Sequence, residues 1–196
     1  DEYEYLRRMH FSVEGGLPEL FKSLDGWASH SYPNHGYVGS PYDTGRNSIL
    51  NYRWELQVLR NFGVRKDLPV FITETGWPHF EGFAGQTGYY SAEQVAKNYQ
   101  AYFRRILPDE RVVAITPFIF NYQGEPFDHF SWRKPNSEEF YPQYETVLGI
   151  SKTAGEPDQE HILKIDSLPP SKLIHNSTYR FYFEITNQGQ AIWSND

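Results

Sequence analysis

The feature that most constrains this chain is a short apolar run that ends in a carboxylate and a forced turn. Residues 68–79 read Leu-Pro-Val-Phe-Ile-Thr-Glu-Thr-Gly-Trp-Pro-His. A short run of β-branched and aromatic residues without polar alternation predicts a strand buried on both faces. Parallel α/β folds present functional groups at the carboxyl ends of such strands. Glu74, at the end of the predicted strand, is therefore the first candidate for a functional side chain.

Strand and helix patterns alternate on both sides of this run. Strands are predicted at 27–33, 69–74 and 112–120, roughly 40 residues apart, and helices at 3–9, 17–24, 48–62 and 91–107. Ser91 opens the last helix with a capping-box pattern that Gln94 completes. The long loops follow the strands, among them a glycine-rich loop at 78–90 and a loop at 121–136. This rhythm predicts parallel βαβ units, as in a β/α barrel or a doubly wound sheet.

The pattern changes near Pro157. Residues 178–186 alternate strictly between apolar and polar side chains, and an Asn-Gln-Gly-Gln turn follows at 187–190. Period-two alternation with such a turn predicts an antiparallel hairpin. We therefore divide the chain into a β/α domain at 1–156 and the start of a β-sandwich (immunoglobulin- or fibronectin-like) at 157–196.

Composition limits the classes of function. The net charge of −7 argues against a nucleic-acid surface, which needs clustered Lys and Arg. No apolar run is long enough to span a bilayer, and there is no cysteine for disulfides or thiolate metal sites. Aromatic residues make up 17% of the chain, a share that suits either a large core or a sugar site. The start at Asp1 without Met indicates an internal point of a longer protein, so the missing signal peptide says nothing about secretion. We expect a secreted or cell-surface location.

Three motifs carry a resemblance to a known family. His-Ser-Tyr-Pro at 30–33, Ile-Thr-Glu-Thr-Gly-Trp-Pro at 72–78 and Phe-Ile-Phe-Asn at 118–121 resemble the last three strands of a retaining glycoside hydrolase of the β/α-barrel superfamily, clan A. The resemblance covers roughly residues 17–150 and implies hydrolysis of a β-linked oligo- or polysaccharide without a cofactor. It implies that Glu74 is the catalytic nucleophile and that His30 and Tyr32 lie beside it in the substrate site. Independently, a tyrosine hydroxyl near Glu74 would favour the charged form that attacks.

Three further residues are candidates for substrate binding. Trp77 and Trp132 can stack on a sugar face, although Trp77 can equally anchor its turn. Asn121 ends the last predicted strand. In the resembled clan a tryptophan commonly occupies that strand end, so the role of Trp132, which lies in the following loop, stays open. Glu125 and Asp128 in the same loop are expected to be solvated or to bind substrate rather than to catalyse.

The largest departure from the resemblance is an absence. The clan's acid/base glutamate follows an asparagine on strand four, and this sequence contains no Asn-Glu pair. We therefore expect about the last three or four units of a (β/α)8 barrel, with the acid/base residue missing and the isolated chain inactive. Because so few strands cannot close a barrel, the open edges should bind the missing N-terminal part or a second copy.

Other functions remain open at this stage. A carbohydrate-binding or surface-adhesion module would use the aromatic residues and leave Glu74 incidental. An α/β enzyme of another chemistry lacks a supporting phosphate-loop, dinucleotide or nucleophile-elbow motif. A metal site built from His30, His35, His79 and His129 lacks a compact ligand spacing, so no metal is expected.

Overall fold

A computed structural model of the chain describes residues 2–81, 88–152, 162–165 and 170–187. The chain divides into two compact units, Asp1–Ser151 and Lys152–Asp196. None of the helices in these described ranges is long and apolar enough to cross a membrane.

A parallel sheet of three strands organises the first unit. The strands are β1 (Trp27–His30), β2 (Val70–Thr75) and β3 (Val112–Pro117), in the order β1-β2-β3. Both pairs are parallel, and Val70 of β2 is in register with Trp27 and with Val112. The carboxyl ends of the strands therefore lie at one edge of the sheet, as the sequence predicted for an α/β fold. Strand β3 is shorter than its predicted range because it ends at Pro117, so the following residues belong to a loop.

Helices connect the strands and cover the sheet. They are α1 (Glu2–Ser12), α2 (Gly16–Leu20, followed by a 3-10 turn at Phe21–Ser23), α3 (Asn51–Asn61), α4 (Ala92–Ile106) and α5 (Pro142–Leu148). Helix α3 joins β1 to β2, and α4 joins β2 to β3. The short helix α5, which packs against α4, was not predicted from the sequence.

The prediction that the strands are buried on both faces is wrong for the described residues. Val70 and Ile72 of β2 are fully buried and pack with α4 residues such as Val95. Between them, however, Phe71 is 40% exposed, and Val113 of the edge strand β3 is 54% exposed. The helices cover one face of the three strands, and no described layer covers the other. Three strands cannot curl into a closed barrel, so these strands do not themselves cover that face.

The amino end of α4 confirms half of the predicted capping box. The Ser91 side chain accepts a hydrogen bond from the Gln94 amide at 3.2 Å. The reciprocal bond is absent because the Gln94 side chain donates to Asn98 instead, at 2.9 Å. Both carboxylate oxygens of Glu81 accept from the Ala92 amide, at 3.0 and 3.2 Å. A carboxylate from the loop after β2 therefore caps the helix.

The second unit contains one antiparallel pair of strands, β4 (Leu163–Ile165) and β5 (Ile185–Asn187). The predicted strand at 178–186 is therefore wrong for most of its length, since residues 178–184 are not in a ladder. Alternation of apolar and polar side chains is therefore not sufficient to predict a strand over these residues. The predicted turn beyond Asn187, and the segment 191–193 after it, lie outside the described residues.

Candidate active site

Glu74 lies near the carboxyl end of β2, where two side chains from the end of β1 reach its carboxylate. The Tyr32 hydroxyl donates a hydrogen bond to Glu74 Oε2 at 3.2 Å, and His30 Nδ1 lies 3.3 Å from the same oxygen. Among the described residues, no hydrogen bond or ion pair engages Glu74 Oε1. Burial raises the pKa of the Tyr32 phenol, and the neighbouring Glu74 carboxylate raises it further. Tyr32 therefore stays a proton donor to the carboxylate near neutral pH.

The alternation of β1 explains why His30 and Tyr32 point the same way. Ser29 and Ser31 are buried, and their hydroxyls lie 2.9 Å apart. Ser31 also accepts a hydrogen bond from the Tyr52 amide of α3 at 3.1 Å. Because successive side chains of an extended segment alternate between faces, fixing the serines in the core turns His30 and Tyr32 towards Glu74. The register shift after Ser29 pairs His30 directly with Glu74.

Glu74 opens into a cleft of about 360 Å³. Apart from the carboxylate, its walls are aromatic or imidazole rings: Tyr32, Tyr37, Phe118, Phe127, His129 and Phe130. Several rings meet edge to face, with the Tyr37 and Phe130 centroids 5.3 Å apart and those of Phe118 and Phe130 5.7 Å apart. Glu74 is the one carboxylate among the described residues that line the cleft. The cleft thus combines one carboxylate with broad apolar surfaces.

The turn after Glu74 requires a glycine. Gly76 has a φ of 151°, and a Cβ at this position would lie 2.5 Å from the Tyr99 hydroxyl oxygen and 2.9 Å from the Phe118 carbonyl oxygen. No other residue fits this close approach without displacing α4 or the end of β3. Gly76 therefore sets the path by which the chain leaves β2 beside the cleft.

The loop after β3 supplies one wall of the cleft and is held by its own backbone. The Ile119 amide donates a hydrogen bond to Phe130 O at 3.3 Å, and the Trp132 amide donates to Ile119 O at 3.0 Å. The His79 amide, from the loop after β2, donates to the His129 carbonyl at 2.8 Å. The buried His79 ring is 2.8 Å from Ser131 O through Nε2. These contacts fix His129 and Phe130 over Glu74.

The structure places both predicted stacking tryptophans in the core, so the expectation that they stack on a sugar does not fit their positions. Trp77 is 1% exposed, and its Nε1 donates to Gly39 O at 2.8 Å. Trp132 is 7% exposed and packs against Tyr99 with ring centroids 5.3 Å apart. Neither indole presents a face to the cleft. Trp77 thus takes the turn-anchoring role that the sequence left open.

Asn121 and the acidic residues of the same loop are not among the residues that line the cleft. Asn121 is exposed and accepts a hydrogen bond from the Gln123 side chain at 2.7 Å. Glu125 is exposed as well. Asp128 is buried, with its Oδ1 3.5 Å from His129 Nδ1. Part of the glycine-rich loop predicted at 78–90, residues 82–87, lies outside the described residues.

Sequence reasoning missed five residues of the cleft wall: Tyr37, Phe118, Phe127, His129 and Phe130. All of them follow a strand of the parallel sheet, and the aromatic richness of those loops was the one available signal. Phe118 directly follows β3 and is the first residue of the Phe-Ile-Phe-Asn motif at 118–121.

Among the described residues, no group of three or more His, Asp or Glu side chains is arranged to hold a metal ion. No protein-family model matches the chain, and a search of curated proteins finds no match.

Proposed function

We propose that this chain carries the nucleophile side of a retaining β-glycoside hydrolase, within the last three units of a (β/α)8 barrel. The observation that carries the proposal is the setting of Glu74. Its carboxylate lies at the carboxyl edge of a parallel sheet, is held through Oε2 by Tyr32 and His30, and opens into an aromatic cleft. The resemblance in the sequence assigns the same three residues to the nucleophile and its neighbours.

The chemistry requires a carboxylate that is ionised and oriented. Tyr32 donates to Oε2, which fixes the orientation of the carboxylate. In the proposed first step, Glu74 Oε1 forms a bond to the anomeric carbon. The bond from that carbon to the leaving oxygen breaks, and its electron pair departs with the leaving group. The aromatic walls suit the C–H-rich faces of a pyranose ring.

To hydrolyse a natural glycoside, a retaining enzyme needs a second carboxyl group about 5 Å from the first, which protonates the leaving oxygen. Glu74 supplies the only carboxyl group of the described cleft lining. We therefore propose that the acid/base residue comes from elsewhere in a complete barrel, whose further strands would also cover the exposed sheet face. The chain alone should hydrolyse ordinary glycosides poorly, but it should still react with a donor whose leaving group needs no proton.

An activated fluorosugar tests this directly. We expect 2,4-dinitrophenyl 2-deoxy-2-fluoro-β-D-glucopyranoside to add one fluoroglucosyl group to the chain, observed by intact mass and mapped by peptide sequencing to Glu74. Dinitrophenolate departs without protonation, and the fluorine slows hydrolysis of the adduct. Glu74→Gln should abolish labelling. Glu110→Gln, an exposed carboxylate at the other edge of the sheet, serves as the matched control and should label normally. Absence of the adduct, or its formation on another residue, would contradict the proposal.

A carbohydrate-binding module is the second candidate, because the cleft has aromatic walls and a single carboxylate. Such a module would bind an oligosaccharide, detectable by calorimetry, with the same affinity in Glu74→Gln and in the unmodified chain. It would form no adduct on Glu74. The two readouts therefore separate the candidates.

A further inference from the structure

The charges around the cleft say which class of sugar it can take. The ring and carboxylate side chains that line it include no lysine or arginine. His30, which contacts Glu74 from the end of β1, is more than half exposed and is already occupied by that carboxylate. A sugar with its own carboxylate or sulfate would therefore meet Glu74 without a dedicated cation to offset the repulsion.

The lysine and arginine side chains of the loops at this edge of the sheet are all paired with carboxylates. The loop between β1 and α3 contains one, Arg46, which donates to Glu2 at 2.7 Å and lies over the Trp54 ring. The segment between β2 and α4, residues 76–91, contains neither lysine nor arginine, and this includes the sequence of residues 82–87.

The loop after β3 contains the remaining two cations. Arg133 forms an ion pair with Glu138 and donates to Ser137 O at 2.6 Å. Lys134 forms an ion pair with Glu139 at 2.8 Å. Each lysine or arginine in the loops that follow the three strands is thus paired with a carboxylate. The buried Asp128, next to His129 of the cleft wall, adds a further acidic group behind the site.

Resting on the function proposed above, we infer that the sugar unit bound next to Glu74 carries no anionic substituent. The site takes neutral glycosides and discriminates against uronic acids and sulfated sugars. The discrimination arises because an anionic substituent would approach the Glu74 carboxylate in a cleft whose described lining contains no lysine or arginine. It needs no steric exclusion, so a single added cation should relax it.

Paired donors test the inference. The chain is incubated with 2,4-dinitrophenyl 2-deoxy-2-fluoro-β-D-glucopyranoside and, separately, with the matching β-D-glucuronide, and the rate of labelling of Glu74 is followed by mass spectrometry. We expect the glucuronide to react slower by about tenfold or more, the ratio produced by a repulsion of ~1.4 kcal/mol. Added salt should narrow the ratio.

The two donors also differ in intrinsic reactivity, and comparing the ratio of their labelling rates between two variants cancels this difference. Phe127→Lys places a cation on a cleft residue that is 41% exposed, so folding should tolerate it. It should raise glucuronide labelling several-fold relative to glucoside labelling. Phe120→Lys, at a residue that is 55% exposed and packs on Phe140 outside the cleft, should leave the ratio unchanged.

The outcomes separate the two proposals. Equal labelling by both donors in the unmodified chain, or an unchanged ratio in Phe127→Lys, overturns the inference about charge while leaving Glu74 as the nucleophile. Labelling of Glu74 by neither donor overturns the proposed function, and the inference with it.

Discussion

Replacing Trp77 by phenylalanine separates a packing role from a ligand-stacking role. The indole is 1% exposed, and its ring centroid lies 5.4 Å from that of Tyr99 and 6.1 Å from that of Tyr102. Its Nε1 donates to Gly39 O at 2.8 Å. Phenylalanine keeps an aromatic ring between the two tyrosines but removes the donor and part of the volume.

The two losses can be estimated separately. A buried carbonyl left without its donor costs about 1–3 kcal/mol. The missing part of the ring leaves a void of roughly 40 Å³, which at ~24 cal/mol per Å³ costs about 1 kcal/mol. We therefore expect Trp77→Phe to lower the free energy of unfolding by about 2–4 kcal/mol, or the melting temperature by roughly 2–4 °C for each kcal/mol in a unit of this size.

The assay is urea unfolding followed by circular dichroism, run beside the labelling of Glu74 by the neutral fluorosugar. Trp54→Phe is the matched control, since Trp54 is only half-buried and carries the Arg46 guanidinium over its ring. We expect it to lower the free energy of unfolding by no more than about 1 kcal/mol. The folded fraction of Trp77→Phe should label at the rate of the unmodified chain. Unchanged stability combined with lost labelling would refute the packing role and indicate that Trp77 contacts the ligand.

Three further predictions follow from the fold. Ser91→Ala should lower the free energy of unfolding by about 0.5–1 kcal/mol in urea unfolding, the low end of an N-cap loss, because Glu81 still caps Ala92; a loss above 2 kcal/mol would contradict this shared capping. Burial lowers the pKa of His79 below its ordinary 6.5, so the unfolded chain binds more protons below that pH. Stability should be full above pH 6.5 and fall as the pH drops through the lower folded pKa, and His79→Gln should flatten the dependence; an equal slope in both chains would refute it. On the edge strand, Val113→Lys should reduce self-association of the chain in light scattering, whereas an unchanged oligomer would show that β3 is not the contact.

The sequence predicted the positions of the strands and of the longer helices because their hydrophobic patterns are local. That His30 and Tyr32 lie beside Glu74 was implied by the resemblance to the glycoside hydrolase clan, and the structure brings the three side chains together at the carboxyl edge of the sheet. The tryptophans were harder, since composition cannot tell a ring that packs a turn from one that faces a ligand. The cleft wall was missed because Tyr37 and Phe127 lie in loops, where no periodicity indicates direction.

The prediction that the strands are buried on both faces failed for a different reason. An apolar run predicts that a strand prefers to be covered, but it does not say whether a covering layer is available. Phe71 has the residue type of a core position and is nevertheless 40% exposed. The segment at 178–184 likewise alternates between apolar and polar side chains and is nevertheless not a strand.

The ties between the loops around Glu74 have a thermodynamic consequence for ligand binding. Trp77 Nε1 bonds to Gly39 O, Tyr90 OH bonds to Val38 O, and the His79 amide bonds to His129 O, all at 2.8 Å. These bonds hold the described loops next to the cleft, including the wall residue His129, in the absence of a ligand, so the entropy of fixing these loops does not oppose association. Under the proposed function, differences in affinity between sugars should therefore report the hydroxyl pattern and charge of each sugar rather than the free energy of ordering these loops.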